Sequence, residues 1–262
     1  MVVLPPGTLL QLIYLRERLS RLQTGFFIEI GPGSGEITDL LLESGWNGIT
    51  MDLNETTIES LRTRFGVQIE SGRLVISNQD FNSCDASGLK ANLVISCMVM
   101  EHMEDQQESD FVQQAGRCLA PGGMMIGLVP GSPAHWGIED EIAGHIRRYT
   151  RESLEKLMEI NHWQIRHCAG LTFPLSNLLL PLSNFLVERA EKNKLDLSKF
   201  DRTKLSGIRN VSFKTHFPSI AGILLNRVTL LPFHFLQKFF ANSSRALVLY
   251  FEAEPDTGAN EN

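Results

Sequence analysis

Residues 26–38 read FFIEIGPGSGEIT and constrain the fold more than any other part of the chain. The apolar start of this stretch predicts a strand that is buried on both faces. Three glycines within five residues then allow a sharp turn and let a ligand approach the backbone closely. Beyond the last glycine, apolar residues recur at helical spacing. A strand, a glycine-rich turn and a helix N-terminus in this order predict a nucleotide-binding α/β domain.

The spacing of the glycines distinguishes this turn from two common nucleotide-binding motifs. A dinucleotide fingerprint begun at Gly31 would place the bulky, acidic Glu36 at its third small position. The Lys-Ser/Thr pair of a P-loop is missing as well. Glu29, beside the turn, would repel a pyrophosphate but attract a cation. S-adenosylmethionine (SAM) carries a sulfonium and an ammonium group and no phosphate, so we expect SAM rather than NAD.

The pattern E-x-G-x-G-x-G, from Glu29 to Gly35, resembles the first motif of the class I SAM-dependent methyltransferases. The resemblance covers about residues 26–168. It includes the pair Glu101-His102 after a predicted fourth strand, which is typical of the branch of ubiquinone-type and related small-molecule methyltransferases. It implies an α/β fold with a doubly wound, mostly parallel seven-stranded sheet (Rossmann-like), in which the last strand is antiparallel beside the sixth.

The same resemblance implies which residues hold SAM. Asp52 ends the second predicted strand and matches the acidic residue that accepts the ribose hydroxyls in the family. Asp80 and Phe81 match the residues that contact adenine, the second of them through its backbone amide. The expected cofactor-binding residues are Glu29, Gly31, Gly33, Gly35, Asp52, Leu53, Asp80, Phe81, Cys97 and His102.

A long loop, residues 130–148, leaves the predicted fifth strand on the same side as the glycine-rich turn. Loops of this length in a compact domain are usually functional. Histidine is a natural general base near neutral pH, so His145, and after it His135, are the candidate catalytic residues. Relatives cover their substrate with this loop, which makes Arg147, Arg148 and Tyr149 the candidate acceptor-binding residues.

Composition limits the other classes of function. The four cysteines form no C-x-x-C pair and no metal-like cluster, so we expect no bound metal, reduced thiols and a cytoplasmic location. The net charge of −6 argues against non-specific binding to nucleic acid. Residues 1–7 lack the basic start and the long apolar core of a signal peptide.

We expect three parts: a SAM-binding core (1–170), a helical insertion (171–242) and a final strand that completes the core (243–254). Residues 192–245 carry a net charge of +8, so the rest of the chain carries −14. The uncharged run 171–187 is too short and too interrupted by Pro, Ser and Asn for a membrane span. Three readings of the insertion stay open: a lid over a bulky apolar acceptor, a peripheral contact with an anionic membrane, or an ordinary helical cap.

These observations predict a SAM-dependent methyltransferase that transfers a methyl group to a small-molecule or lipid-like acceptor by in-line displacement. One alternative is a SAM-binding regulatory or assembly protein without transferase activity, since a complete cofactor site does not establish turnover. The other is an NAD-linked oxidoreductase, which Glu36 disfavours. The identity of the acceptor, its reacting atom and the oligomeric state stay open.

Overall fold

A computed structural model of the protein describes residues 3–86, 88–191, 193, 211 and 217–256. Its strands are β1 (Phe26–Ile30), β2 (Asn47–Met51), β3 (Leu74–Ser77), β4 (Ala91–Cys97), β5 (Leu119–Pro130), β6 (Trp163–Leu171) and β7 (Val248–Pro255). They form one seven-stranded sheet in the order β3-β2-β1-β4-β5-β7-β6. β7 is antiparallel to both of its neighbours, and the other pairs are parallel. The expected fold class is therefore confirmed.

The helices follow the strands along the chain and cover both faces of the sheet. They are α1 (Pro6–Leu19), α2 (Glu36–Glu43), α3 (Glu55–Arg64), α4 (Gly66–Glu70), α5 (Asp105–Cys118), α6 (Ile138–Ala143), α7 (Arg151–Ile160), α8 (Leu175–Glu191) and α9 (Leu231–Phe239). Side chains define several of their starts. For example, Thr150 accepts a hydrogen bond from the Ser153 amide at the start of α7.

The apolar run in β1 is buried on both faces, as its sequence predicts. Phe27 points toward α1 and α2, where it joins a core with Leu15 and Leu41. Ile28 points to the opposite face and joins a core with Phe111 and other side chains of α5. Because both faces are filled, the carboxyl edge of the sheet is the side left for a ligand.

Three boundaries differ from the sequence-based expectation. The apolar run 124–129 predicts the fifth strand, but β5 begins at Leu119, because Leu119 already pairs with Ala91 before an irregularity in the register. The loop 130–148 is not continuous coil, since a 3₁₀ turn and α6 form within it. The final strand begins at Val248 rather than at residue 243, because residues 243–246 form a turn closed by the Ala246 amide and the Ser243 carbonyl, 3.3 Å apart.

The expected insertion contains α8 and α9, whereas residues 192, 194–210 and 212–216 lie outside the described part of the chain. α9 packs on α1 through the ion pair of Lys238 with Glu17, at 2.7 Å, and through the hydrogen bond of His234 with the same carboxylate. Within the described ranges, no helix combines the length and the apolar character needed to cross a bilayer. The division into core and insertion stays a proposal.

Candidate functional site

A cavity of about 1230 Å³ opens at the carboxyl ends of β1, β2 and β4. Its floor is the glycine-rich turn, and its far wall is one side of α8, including Leu179, Leu182 and Leu186. Parallel strands end together at this edge, so the cavity lies where open α/β sheets bind ligands. Nine of the ten expected cofactor residues line the cavity, and Gly35 does not. The nine are Glu29, Gly31, Gly33, Asp52, Leu53, Asp80, Phe81, Cys97 and His102.

The three glycines of the turn all adopt left-handed backbone angles, for different physical reasons. A Cβ at Gly31 would lie 2.5 Å from the side chain of Val99, and one at Gly35 would lie 2.7 Å from that of Phe65. Neither position therefore has room for a side chain. Gly33, with φ +54°, has no described protein atom within 4 Å of the Cβ position. Gly33 also lines the cavity, so its open side is available to a ligand.

Glu29 is buried beneath the turn and accepts hydrogen bonds from two hydroxyls. Thr38 Oγ1 lies 2.5 Å and Thr50 Oγ1 lies 2.9 Å from Glu29 Oε2. Burial raises the pKa of this carboxyl to about 7, although both hydroxyl donors act to lower it. Glu29 therefore links β1 to α2 and to β2 next to the glycine-rich turn.

Asp52 and Asp80 both follow strand ends and hold backbone amides. Asp52 Oδ1 accepts from the Asn54 amide at 2.8 Å, and burial raises the pKa of its carboxyl. Asp80 Oδ1 accepts from the Asn82 amide at 3.1 Å and starts a short 3₁₀ turn. The ring of Phe81 is buried against Phe111, so the side chain belongs to the core and its backbone faces the cavity edge.

A cluster of buried charged groups lies where the loop after β5 returns to the end of β4. Asp140 Oδ1 is 2.9 Å from His145 Nδ1 and 2.8 Å from Arg148 Nε. Burial alone would raise the pKa of Asp140, but the hydrogen bonds from His145 and Arg148 outweigh it, and the pKa lies below its ordinary value. The Ile146 amide donates to the Glu101 carbonyl at 2.9 Å, which fixes the loop against β4.

Glu101 is fully buried beside this cluster. Its Oε1 is 3.6 Å from His145 Nε2, and the rings of His145 and His102 meet edge to face at 4.9 Å. Burial, followed by the charge of Asp140, raises the pKa of Glu101 to about 8. The sequence spacing predicted no metal-like cluster, but the fold brings three potential ligands, Glu101, His102 and His145, to within 4.8 Å of one another.

The structure separates the predicted catalytic and acceptor-binding residues. His145 and Arg148 line the cavity, whereas His135, Arg147 and Tyr149 do not. His135 Nδ1 lies 2.8 Å from Ser132 Oγ, outside the cavity lining. Arg147 is held by Glu108 and Asp105, each at 2.8 Å, and the hydroxyl of Tyr149 also bonds to Glu108. Adjacent residues in an extended segment point to opposite sides, which is why Arg147 and Arg148 have different surroundings.

Sequence reasoning missed the buried acids and part of the apolar wall. In the sequence, Asp140 is one of several charged residues of the loop 130–148, and Glu101 is part of the Glu101-His102 pair; neither is among the predicted site residues. Their burial depends on contacts between segments far apart in the chain, which spacing does not reveal. The signal for the apolar wall was present, because the uncharged run 171–187 includes the residues of α8 that line the cavity.

A family model described as "Methyltransferase domain" matches residues 10–167, more than half of the chain. The chain belongs to the class I SAM-dependent methyltransferases. The matched segment contains the glycine-rich turn, Asp52, Asp80 and the cluster around Glu101.

Two curated proteins and one solved structure illustrate the similarity. A probable SAM-dependent methyltransferase of Mycolicibacterium smegmatis is 27% identical over 147 residues, 55% of this chain and 54% of the relative. A probable ribosomal RNA small subunit methyltransferase A of Methanospirillum hungatei is 43% identical over 53 residues, 20% of this chain and 21% of the relative. The chain thus spans about half, and about a fifth, of the lengths of these two relatives.

The structural comparison shows the fold. The 1,6-didemethyltoxoflavin-N1-methyltransferase of Burkholderia thailandensis, solved with its substrate and S-adenosylhomocysteine, superposes with a TM-score of 0.52. It is 15% identical, and the match covers 64% of this chain and 73% of that one. The order of strands and helices in this methyltransferase chain is therefore shared with a structure that has little sequence similarity to it.

Proposed function

We propose that this chain transfers the methyl group of SAM to a bulky, largely apolar small-molecule or lipid-like acceptor. The observation that carries the proposal is one continuous cavity. It extends from the glycine-rich turn, past His145, to the leucines of α8. A cavity of about 1230 Å³ is large enough for SAM and a second molecule of similar size. The toxoflavin-type substrate named for the Burkholderia thailandensis neighbour is an example of a small-molecule acceptor.

The proposed reaction needs little covalent chemistry from the protein. The acceptor atom attacks the methyl carbon of SAM in line with the leaving sulfur, the carbon–sulfur bond breaks, and S-adenosylhomocysteine leaves. The acceptor also loses one proton, so the overall products are methylated acceptor, S-adenosylhomocysteine and a proton. Orientation of the two molecules supplies much of the rate. We propose that Asp52 holds the ribose, that Asp80 and the Phe81 amide hold adenine, and that His145 receives the proton.

The proposal is tested by two measurements on the full chain. Calorimetric titration with SAM, and separately with NADH, tests the cofactor site. Turnover is tested with a screen of bulky apolar compounds that carry a hydroxyl group, an amine or an acidic carbon. The measured quantity is the release of S-adenosylhomocysteine. SAM binding together with release that depends on an acceptor supports the enzyme. SAM binding without turnover for any acceptor would favour the alternative of a SAM-binding regulatory or assembly protein.

SAM affinity is expected to rise with pH because of Glu29. The pKa of its carboxyl is about 7 in the empty cavity, so it is largely protonated at pH 6. A cationic ligand favours the carboxylate, so binding at low pH must expel this proton. The association constant should therefore rise by up to about tenfold between pH 6 and pH 7.5 and then level off. Calorimetry across this range measures the effect, and Glu29→Gln should bind weakly with a flat profile. A flat profile for the unchanged protein would contradict the role of Glu29.

The α8 wall is proposed to act as a lid on the acceptor. Ser183 of α8 donates to Glu139 Oε1 of α6 at 2.6 Å, which ties the helix to the loop that carries His145. Leu182 lines the cavity, and Leu178, one turn earlier and 76% exposed, does not. Leu182→Asp is therefore expected to raise the KM for an apolar acceptor by about tenfold, because it places a charge in the apolar wall. Leu178→Asp is the matched control and should leave the KM unchanged.

A peripheral membrane contact is a second proposal for the same region. Phe235 and Phe239 of α9 are 65% and 81% exposed, and they belong to the segment 192–245, whose net charge is +8. Exposed aromatic side chains next to basic ones are suited to an anionic interface. Sedimentation with vesicles that contain phosphatidylserine would detect the contact, and Phe239→Asp should reduce it. Absence of co-sedimentation would exclude the membrane contact and leave the lid and the ordinary helical cap as roles of the insertion.

A further inference from the structure

The starting observation is the carboxylate of Glu101. It is fully buried, and neither of its oxygens has a hydrogen-bond partner within the described residues. A buried carboxylate without partners is costly, and such groups in native proteins need a specific explanation. Glu101 lies directly behind two cavity-lining imidazoles, those of His102 and His145. All three groups are donors that divalent transition metals prefer.

The distances suit ligands that share one ion. His145 Nε2 and Glu101 Oε1 are 3.6 Å apart, which is too long for a hydrogen bond. Two ligands that each lie about 2.1 Å from a tetrahedral ion are roughly 3.4 Å apart. One ligand atom of each of the three side chains lies within 4.8 Å of the others, so a small movement of His102 completes the set.

Asp140 supports this arrangement from behind. Its carboxylate lies 2.9 Å from His145 Nδ1, and Arg148 holds the same oxygen at 2.8 Å. With Asp140 as the acceptor, Nδ1 of His145 carries the proton, and Nε2 of the same ring faces Glu101 Oε1 at 3.6 Å. A carboxylate on the far nitrogen of a ligating histidine is the usual support of a metal site. The cluster therefore has both a ligand set and the group that orients it.

We propose that Glu101, His102 and His145 form a site for a divalent transition metal, best suited to Zn²⁺, in the wall of the cavity. Two histidines and one carboxylate leave a coordination position open toward the cavity. That position would take an oxygen of the acceptor, so the site predicts a hydroxyl-bearing acceptor, such as a phenol.

The ion's role in methyl transfer rests on the proposed function. Coordination lowers the pKa of the acceptor hydroxyl, and its proton leaves to solvent. The oxygen then forms a bond to the methyl carbon of SAM while the carbon–sulfur bond breaks. In this form of the site His145 serves as a ligand, and the ion replaces the imidazole as the group that generates the nucleophile.

The test measures metal binding rather than turnover. Tag-free, full-length protein is stripped with a chelator and titrated with Zn²⁺ in competition with a chromophoric chelator. We expect one equivalent to bind in the micromolar range or tighter. Glu101→Gln keeps the shape of the side chain and removes its charge, and it should weaken Zn²⁺ binding by at least about 100-fold, as should His145→Ala. Asp140→Asn should weaken it by about 10- to 100-fold, because Asp140 only orients His145.

His162→Asn is the matched control. His162 is exposed after α7, and asparagine tolerates its positive φ of 60°. This variant should bind Zn²⁺ like the unchanged protein. Absence of stoichiometric binding, or equal binding by Glu101→Gln, would overturn the proposal. SAM is titrated into the same samples. SAM binding without Zn²⁺ binding would overturn the metal site alone. Absence of SAM binding to the unchanged protein would overturn the proposed function.

Discussion

Replacing Gly33 by leucine is expected to reduce SAM affinity by more than about 100-fold while the protein stays folded. Gly33 lines the cavity, and its Cβ position has open space around it among the described atoms. A leucine side chain therefore fits within the protein but occupies the volume that the cofactor needs. The positive φ of +54° adds backbone strain of about 1–2 kcal/mol, which a folded domain tolerates.

Gly72→Leu is the control that separates the effect of backbone strain from steric blockage of the cofactor site. Gly72 has φ +72°, also has no described atom within 4 Å of its Cβ position, and does not line the cavity. Both variants should lose a similar part of their thermal stability, but only Gly33→Leu should lose SAM binding in calorimetry. If Gly33→Leu bound SAM within about threefold of the unchanged protein, the glycine-rich turn would not be the cofactor floor.

His145→Ala is expected to slow methyl transfer by about 10²- to 10⁴-fold and to change SAM affinity by less than about threefold. His145 Nε2 faces Glu101 and the cavity, and Asp140 fixes the ring through Nδ1. The loss is expected whether the imidazole takes the proton itself or holds an ion that lowers the pKa of the acceptor hydroxyl. The expected effect is on kcat, because the cofactor floor lies on a different loop. Steady-state kinetics with the acceptor found by the screen measures it.

His135→Ala is the informative comparison. It removes the other candidate base from the same loop, but His135 binds Ser132 and lies outside the cavity lining. A loss of turnover larger for His135→Ala than for His145→Ala would reverse the assignment. Similar activity of His145→Ala and the unchanged protein would remove His145 from the mechanism.

The sheet and the position of the glycine-rich turn in the cavity lining could be predicted because local sequence determines them. The apolar run of β1, the spacing of Gly31 and Gly33, and the strand-end position of Asp52 are all local features. Their common location follows from a rule of parallel sheets, that the carboxyl ends of the strands meet at one edge. The family model over residues 10–167 agrees with this part of the prediction.

The chemistry of the acceptor side could not be predicted in the same way. The sequence does not distinguish between the consecutive residues Arg147, Arg148 and Tyr149 as candidates for binding the acceptor. In the structure only Arg148 lines the cavity. Glu108, which holds both Arg147 and Tyr149, comes from α5, far away in the chain. The burial of Glu101 and Asp140 likewise depends on how the loop after β5 folds back onto β4. Such contacts are tertiary, and no periodicity or spacing encodes them.

The position of β7 bears on how the chain is made. β6 lies at the edge of the sheet and pairs with β7, which also separates β6 from β5. Synthesis from the N-terminus produces β1 to β5 first, and their parallel pairs are available at once. β6 is synthesised next, but its partner β7 follows only after the apolar insertion has been translated. During that time the edges of both β5 and β6 are unpaired. β7 is thus the strand that joins the two parts of the sheet, and its synthesis ends the period in which these strand edges are exposed to aggregation.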